Sequence, residues 1–250
     1  MQVCTQALWL PKAGNTVEEY EDACLPVRSV NREARAFRCA VADGATEASF
    51  SGSWARLLIR AYCKGQWGGR RIVRTLARLQ TVWQEELDAL QLPWYAEEKL
   101  RSGAFASLLG LTLIGPFEEL PGGWVAEAVG DSCLFQVRSD EVITAFPIRR
   151  AVEFDSRPHL IGSNASSNEH LLGHMREARG GWEPGDIFYL MTDALACWFL
   201  SRVEAGHQPW LELATAAVGG QPSFADWMDR LRKEHDIRND DVTLLRVHVR

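Results

Sequence analysis

The order of the apolar segments predicts an α+β fold in which antiparallel strands form the centre and helices pack outside. Short apolar runs between residues 104 and 147 follow one another with only tight turns between them, at 121–123 and 139–140, which is typical of antiparallel meanders. Helical periodicity is concentrated in residues 50–100 and 195–236, so strands and helices do not alternate as in parallel βαβ folds. No stretch resembles a flexible linker, and we expect residues 1–250 to form a single domain.

The strands are predicted from apolar runs bounded by turn residues. In chain order they are Val3–Leu10, Ala36–Ala42, Ala104–Ile114, Trp124–Val129, Cys133–Arg138, Glu141–Phe146, Ile187–Met191 and Val242–Val249. Three helices are predicted from apolar residues that recur at steps of three and four. Their stripes are Trp54, Leu57, Leu58 and Ala61; Ile72, Leu76, Leu79, Trp83, Leu87 and Leu90; and Phe224, Trp227, Met228 and Leu231. Ser223, with Asp226 three residues later, has the pattern of an N-cap for the third helix.

Composition and charge narrow the possible functions. Hydrophobic residues make up 46% of the chain and charged residues 24%, as in a globular protein with a sizeable core. The net charge of −6 offers no electrostatic footprint for a phosphate backbone, so nucleic acid is not an expected partner. No window approaches about 18 uninterrupted apolar residues, and the first residues lack the basic start of a secretory signal. We therefore expect a cytoplasmic protein without membrane contact, whose six cysteines are free thiols.

Aspartates stand at the ends of several predicted strands. These residues are Asp22, Asp43, Asp131, Asp193, Asp240 and Asp241. A single acid in such a place is usually a turn former or a helix cap. Because strand ends converge in a sandwich, several such acids would instead form a cluster, and clustered carboxylates are ligands for hard cations such as Mg²⁺ or Mn²⁺. Of the adjacent pair at 240 and 241, one would be a ligand and the other a turn or supporting residue.

Two histidines form a weaker candidate site. His170 and His174 in EHLLGH have the spacing of metal ligands on one helix face. No Glu follows the first histidine, and Gly173 weakens a helix there. We interpret this segment, which follows the Ser- and Asn-rich residues 162–168, as a surface flap.

Six ordered motifs resemble those of the PP2C (PPM) family of metal-dependent serine/threonine protein phosphatases. They are YEDA, VADGAT, SGAFASLLGLTLIG, AVGDSCLFQV, EPGDIFYLMTDAL and NDDVTLL. The resemblance covers residues 14–249, and PHLIGS is similar to the family's bacterial members. It implies a four-layer αββα sandwich of two antiparallel sheets flanked by helices, and a site for two Mn²⁺ or Mg²⁺ ions.

The resemblance also implies roles for single residues. Asp43 would bridge the two ions, and the carbonyl of Gly44 would join the second one. Asp193 and Asp240 would complete the first ion's site, which makes Asp43, Asp193 and Asp240 the predicted catalytic residues.

Other acids would assist these ligands. The Glu21–Asp22 pair would support the second ion directly or through water. Asp131 corresponds to an acid that is linked to a third, weaker ion in some members. Asp241 stands where the family more often has Asn, and it fits a supporting role.

The chain departs from the family's pattern in three places. The Arg that grips the substrate phosphate is replaced by Val17, so the resemblance leaves the phosphate-binding residue unknown. DGxGG is DGATE here, and SDG is TDA, with Ala194 in place of Gly. Losing a charge-assisted phosphate contact would cost about 1.5–3 kcal/mol, which puts substrate affinity and rate in question.

The implied reaction is hydrolysis of phosphoserine or phosphothreonine in a protein substrate, with a serine/threonine kinase as a further candidate partner. A water that bridges two dications about 3.5–4 Å apart loses a proton near neutral pH, and the hydroxide attacks phosphorus in line. No side-chain nucleophile is needed, and the sequence has neither G-x-S-x-G nor C-x5-R. Two alternatives stay open: a pseudophosphatase that binds a phosphoprotein or kinase, and a metal hydrolase of another class, such as a nuclease.

Overall fold

Two antiparallel sheets lie face to face in the computed structural model, which describes residues 1–45, 50–68, 71–89, 103–154 and 157–250. From edge to edge, the six-stranded sheet contains β3 (Val30–Glu33), β1 (Gln2–Leu10), β13 (Val242–Val249), β12 (Ile187–Met191), β8 (Cys133–Arg138) and β9 (Glu141–Phe146). The five-stranded sheet contains β11 (Arg176–Gly181), β7 (Gly123–Val129), β6 (Leu108–Ile114), β4 (Ala36–Ala42) and β2 (Ala23–Leu25). A separate short pair is formed by β5 (Phe105–Ala106) and β10 (Ile161–Gly162).

Helices cover the outer faces of both sheets. The α-helices are α1 (Ser51–Cys63), α2 (Arg71–Asp88), α3 (Leu171–His174), α4 (Asp193–Glu204), α5 (Pro209–Val218) and α6 (Gly220–Lys233). Short 3-10 helices span Val17–Glu19, Ala151–Glu153 and Ala165–Asn168. Within the described residues, no helix combines the length and the apolar character needed to cross a membrane.

Three apolar clusters separate the layers. The middle cluster contains inward side chains of both sheets, such as Leu111 and Val247. A second cluster packs α1 and α2 on the five-stranded sheet, and a third packs α4, α5 and α6 on the six-stranded sheet. In the third cluster the rings of Phe135 and Phe199 stack with centroids 4.3 Å apart. This arrangement confirms the αββα sandwich with two antiparallel sheets.

The predicted elements need two corrections. The strand predicted over Ala104–Ile114 is broken at Ser107, because its amide donates to the carbonyl of Asp43 at 2.8 Å and its hydroxyl bonds that of Ser132 at 2.7 Å. Ser223 is not an N-cap: α6 begins at Gly220, because the chain turns from α5 through Gly219 and Gly220.

Other details agree with the sequence or add to it. All six cysteines are free thiols, as predicted. Leu90, predicted on the second helical stripe, lies outside the described residues. Strands β2, β3, β10 and β11 were not predicted.

Candidate active site

The predicted acids lie at one edge of the sandwich, where strands of both sheets end. In the five-stranded sheet Ala23 pairs with Ala42, so Asp22 and Asp43 flank one end of the β2–β4 pair. In the six-stranded sheet β12 runs antiparallel to β13, so the residues after β12 and before β13 meet at the same edge. Asp193 and Asp240 occupy these two positions.

Asp43 is the central acid of the group. Burial and then the charges of Asp22 and Asp193 raise its pKa well above the usual range, with Asp131 and Asp240 adding to the effect. The backbone amide of Asp43 donates a hydrogen bond to the hydroxyl of Ser107 at 3.1 Å. Carboxylates from both sheets therefore lie close enough to repel one another, as the sequence predicted.

Asp22 is the most buried of these acids, with 2% of its surface exposed. Its Oδ2 accepts a hydrogen bond from the hydroxyl of Thr243 at 2.7 Å, and that hydroxyl also bonds Tyr20. Its Oδ1 is buried and has no partner at hydrogen-bonding geometry. Burial raises the pKa of Asp22 well above its usual range, although the side chain of Thr192 lies close enough to the carboxylate to oppose part of the rise. A buried carboxylate oxygen without a partner requires a proton or a cation.

Gly44 allows the segment before β2 and the start of α1 to approach the end of β4 closely. A Cβ at this position would lie 2.7 Å from the carbonyl oxygen of Glu21 and 3.0 Å from the backbone of Ser51, the first residue of α1. Any larger residue would push the Glu21–Asp22 segment away from the end of β4. The backbone requirement explains the glycine of the VADGAT motif independently of any bound group.

Asp131 lies in the turn that carries the chain from the five-stranded to the six-stranded sheet. Gly130 has φ +95°, and a Cβ there would lie 2.6 Å from that of Ser107. Asp131 is 6% exposed, and burial together with the charge of Asp193 raises its pKa to about 7. The GDS sequence therefore places a buried acid beside the others through a turn that only glycine fits.

Asp193 and Asp240 share one cation, the guanidinium of Arg238. Its Nη2 atom bonds Oδ2 of Asp193 and lies 3.1 Å from Oδ2 of Asp240. Oδ1 of Asp193 accepts from the amide of Ala194, in the first turn of α4, where a helix favours negative charge. Burial nevertheless raises the pKa of Asp193, although Arg238 opposes the rise. Arg238 was not predicted; its signal was a basic residue two positions before the acidic pair.

Glu21 and Asp241 form the rim of the site. Asp241 accepts from the backbone amide of Lys12 through Oδ1 at 2.8 Å and from that of Glu21 through Oδ2 at 2.7 Å. Glu21 accepts from the hydroxyl of Ser51 at 2.5 Å, and burial raises its pKa. Both oxygens of Asp241 are therefore used to hold the backbone that carries Glu21 and Asp22.

Val17 offers no charge to an anion. Its side chain is 59% exposed in the short 3-10 helix before Glu21.

The two histidines of EHLLGH do not share a helix face, because His170 precedes the four-residue helix α3. His174 instead stacks on His159, with ring centroids 3.3 Å apart.

The donor chemistry of the site fits hard divalent cations. All its side-chain donors are carboxylates, which Mg²⁺ and Mn²⁺ prefer. Asp22, whose buried Oδ1 has no partner at hydrogen-bonding geometry, is close enough to Asp241 and Asp193 for their charges to add to the rise that burial causes in its pKa. As the side chains stand, no group of three or more His, Cys, Asp or Glu residues in the described part of the chain has the arrangement of a metal site. Arg238 accounts for part of this, because it occupies oxygens of Asp193 and Asp240.

Comparison with known proteins agrees with the motifs. The profile of the family described as Protein phosphatase 2C matches residues 18–243. No curated protein sequence matches the chain. The solved structures that resemble it include the serine/threonine phosphatase PstP/Ppp of Mycobacterium tuberculosis, with 15% identity, a TM-score of 0.60, and coverage of 100% of this chain and 99% of that one.

Two further structures resemble the chain at similar distance. The S. agalactiae serine/threonine phosphatase has 13% identity and a TM-score of 0.56, covering 98% of this chain and all of that one. The catalytic domain of PstP in complex with two manganese ions has 15% identity and a TM-score of 0.54, covering 99% of this chain and all of that one. These likenesses show the fold. The family profile covers most of the sequence, and the chain therefore belongs to the protein phosphatase 2C family.

Proposed function

We propose that this chain is a metal-dependent phosphatase that hydrolyses phosphoserine or phosphothreonine in protein substrates. The observation that supports the proposal is the convergence of carboxylates from both sheets around Asp43, beside Asp22, whose buried Oδ1 has no partner at hydrogen-bonding geometry. Such an arrangement is costly for a protein unless cations neutralise it. A phosphorylated protein is the substrate class that the family supports.

Two Mn²⁺ or Mg²⁺ ions would be held by this group; the similar catalytic domain of PstP was solved in complex with two manganese ions. Asp43 would contact both ions, Asp193 and Asp240 the first, and the carbonyl of Gly44 the second. Glu21, Asp22 and Asp131 would assist, with Asp131 the candidate for a third, weaker ion. When bound, such ions lower the pKa of coordinated water and neutralise charge on phosphoryl oxygens.

The chain's own residues then have three tasks. Thr243 holds Oδ2 of Asp22 by a hydrogen bond from its hydroxyl and makes no such bond to Oδ1. Asp241 fixes the backbone of Glu21, and the turn at Gly130 fixes Asp131. No described side chain needs to act as the nucleophile in this proposal.

The decisive experiment is hydrolysis of a phosphothreonine peptide by the purified protein in Mn²⁺ and then in EDTA. The variants Asp43→Asn and Asp193→Asn are tested beside it, with Asp226→Asn, exposed on α6, as the matched control. We expect turnover that needs Mn²⁺, that falls at least 100-fold in the two site variants and that survives in the control. Unchanged turnover in folded site variants would refute the assignment.

A phosphoprotein-binding pseudophosphatase is the second candidate. Two observations favour it: Val17 offers no charge to a phosphate, and Arg238 already pairs with Asp193 and Asp240. It predicts binding of the phosphopeptide without turnover, even in millimolar Mn²⁺. Cleavage of a phosphodiester faster than the phosphopeptide would instead favour a nuclease-like hydrolase.

A further inference from the structure

Arg238 lies between the acidic site and solvent. Its side chain is 55% exposed, whereas those of Asp193 and Asp240 are 12% and 29% exposed. The guanidinium therefore covers these carboxylates from outside. Any anion that approaches the site from this side meets the positive charge of Arg238 first.

The backbone that carries Arg238 is anchored. The preceding residue, Ile237, is 7% exposed and belongs to the apolar cluster under α4–α6. After α6, the amide of Asp236 donates to the carbonyl of Leu231 at 2.9 Å. Because the buried side chain of Ile237 and the hydrogen bond of Asp236 both hold the loop, the long side chain of Arg238 can change partners without movement of the backbone.

A cation bound to Asp193 and Asp240 would compete with Arg238. The guanidinium contacts the Oδ2 atoms of both acids, while the Oδ1 atoms already accept hydrogen bonds from the amides of Ala194 and Asp241. An ion would therefore draw on the oxygens that Arg238 uses. Once displaced, Arg238 would carry an unpaired charge next to a site whose substrate group is a dianion. Guanidinium groups bind phosphate oxygens in strong, charge-assisted pairs.

Two other basic residues, Arg232 and Lys12, lie near the site, and neither forms an ion pair with Asp193 or Asp240. Arg232 donates to the backbone carbonyl of Asp240 at 2.7 Å, on the inner side of the loop. Lys12 donates its backbone amide to Asp241, and its ammonium charge opposes the rise in the pKa of Glu21 rather than pairing with Asp193 or Asp240. Among the described residues, Arg238 is the basic side chain whose ion pairs lie on the predicted ligands.

We propose that Arg238 is the phosphate-binding residue of this chain, held on Asp193 and Asp240 until a divalent cation releases it. The inference rests on the proposed function for the identity of the phosphorylated ligand. It assigns to Arg238 the contact that Val17 cannot make. It also makes Arg238 a built-in competitor of the ion.

Two binding measurements test this without any turnover. Mn²⁺ is titrated by calorimetry into the EDTA-stripped wild type, Arg238→Gln, Arg238→Lys and the exposed-arginine control Arg230→Gln. We expect Arg238→Gln to bind Mn²⁺ about tenfold more tightly, because the competing charge is gone. Inorganic phosphate is then titrated into each Mg²⁺-saturated protein, where we expect Arg238→Gln to bind about tenfold more weakly and Arg238→Lys to recover part of the affinity.

Each outcome decides the proposal. Tighter Mn²⁺ binding with weaker phosphate binding in Arg238→Gln alone supports it, whether or not the wild type turns over a phosphopeptide. Unchanged Mn²⁺ affinity would overturn the competition, and unchanged phosphate affinity would overturn the phosphate role. If neither the wild type nor Arg238→Gln binds Mn²⁺, both the competition and the phosphate role are overturned, since no ion would then release Arg238. If the wild type does not hydrolyse the phosphopeptide but Arg238→Gln shows both changes in affinity, the result counts against the proposed function only.

Discussion

Asp241 ties the N-terminal loop to the acidic site, and its removal should destabilise the protein measurably. Its two oxygens accept from the amides of Lys12 and Glu21 at 2.8 and 2.7 Å. Hydrogen bonds to a charged group contribute about 1.5–3 kcal/mol each. Because the carboxylate is only half-buried and partly screened by water, we take about 1.5 kcal/mol per bond. Asp241→Ala should therefore lower the free energy of unfolding by about 3 kcal/mol.

Asp241→Asn should cost about half as much, because an amide keeps one acceptor but turns a donor toward the second backbone amide. The matched control is Asn239→Ala. Asn239 also makes two bonds to this loop, with the amide of Ala13 at 2.8 Å and its carbonyl at 3.2 Å, but it is neutral and exposed. The control should lose less than about 1 kcal/mol.

The assay is urea unfolding of the EDTA-treated protein, followed by far-UV circular dichroism. In a thermal melt, the same loss of about 3 kcal/mol in the free energy of unfolding corresponds to a fall of roughly 6–12 °C in Tm for a domain of this size. Equal losses for Asp241→Ala and Asn239→Ala would refute the reasoning. So would a stability of Asp241→Asn at or above that of the wild type.

Two further predictions concern pH and packing. Because burial raises the pKa of Asp22 well above its usual range and that of Asp131 to about 7, the folded metal-free protein holds protons that the unfolded chain releases above about pH 4. Its stability should fall as pH rises from 5 to 8, and a rise in urea-unfolding experiments would contradict this. At Gly130, which has φ +95°, a Cβ would lie 2.6 Å from that of Ser107. Gly130→Ala should therefore lower the free energy of unfolding by more than about 2 kcal/mol. Gly173→Ala, with nothing within 4 Å, should leave the melting temperature nearly unchanged, and equal shifts would contradict the packing argument.

Strands with one buried face could be predicted, whereas polar edge strands could not. The bounds of β4, β8, β12 and β13 agree with the predicted runs, because burial of their apolar residues leaves a clear pattern in the sequence. The bounds of β9 agree as well, although only Phe146 is buried in it, because the turn at 139–140 marks its start. The missed strands β3 and β11 are mostly exposed, with sequences VNRE and REARGG. Their pairing depends on backbone hydrogen bonds to a neighbour, which no residue pattern records.

The acids of the site could also be predicted from the apolar strands beside them, whereas Arg238, the cation that pairs with two of them, could not. Asp43 and Asp193 could be predicted because each ends a strongly apolar strand, and sandwich strands end at shared edges. Arg238 stands in the charged run between α6 and β13, where sequence alone gives no direction for its side chain. That Asp22 lacks a partner for one oxygen depends on where Thr243 points, which is a property of the folded chain.

The order of strands in the six-stranded sheet has a consequence for how the protein is made. β13 lies between β1 and β12, so residues from opposite ends of the sequence pair over the full length of β1. Such long-range pairing is slow, because the intervening chain must be brought together first. During synthesis β1 and β12 emerge before the strand that joins them, and Asp193 exists before Asp240. The complete acidic site, including Asp240, can therefore assemble only after residues 242–249 have been translated and inserted, whereas Asp22 and Asp43 can meet as soon as β2 and β4 pair.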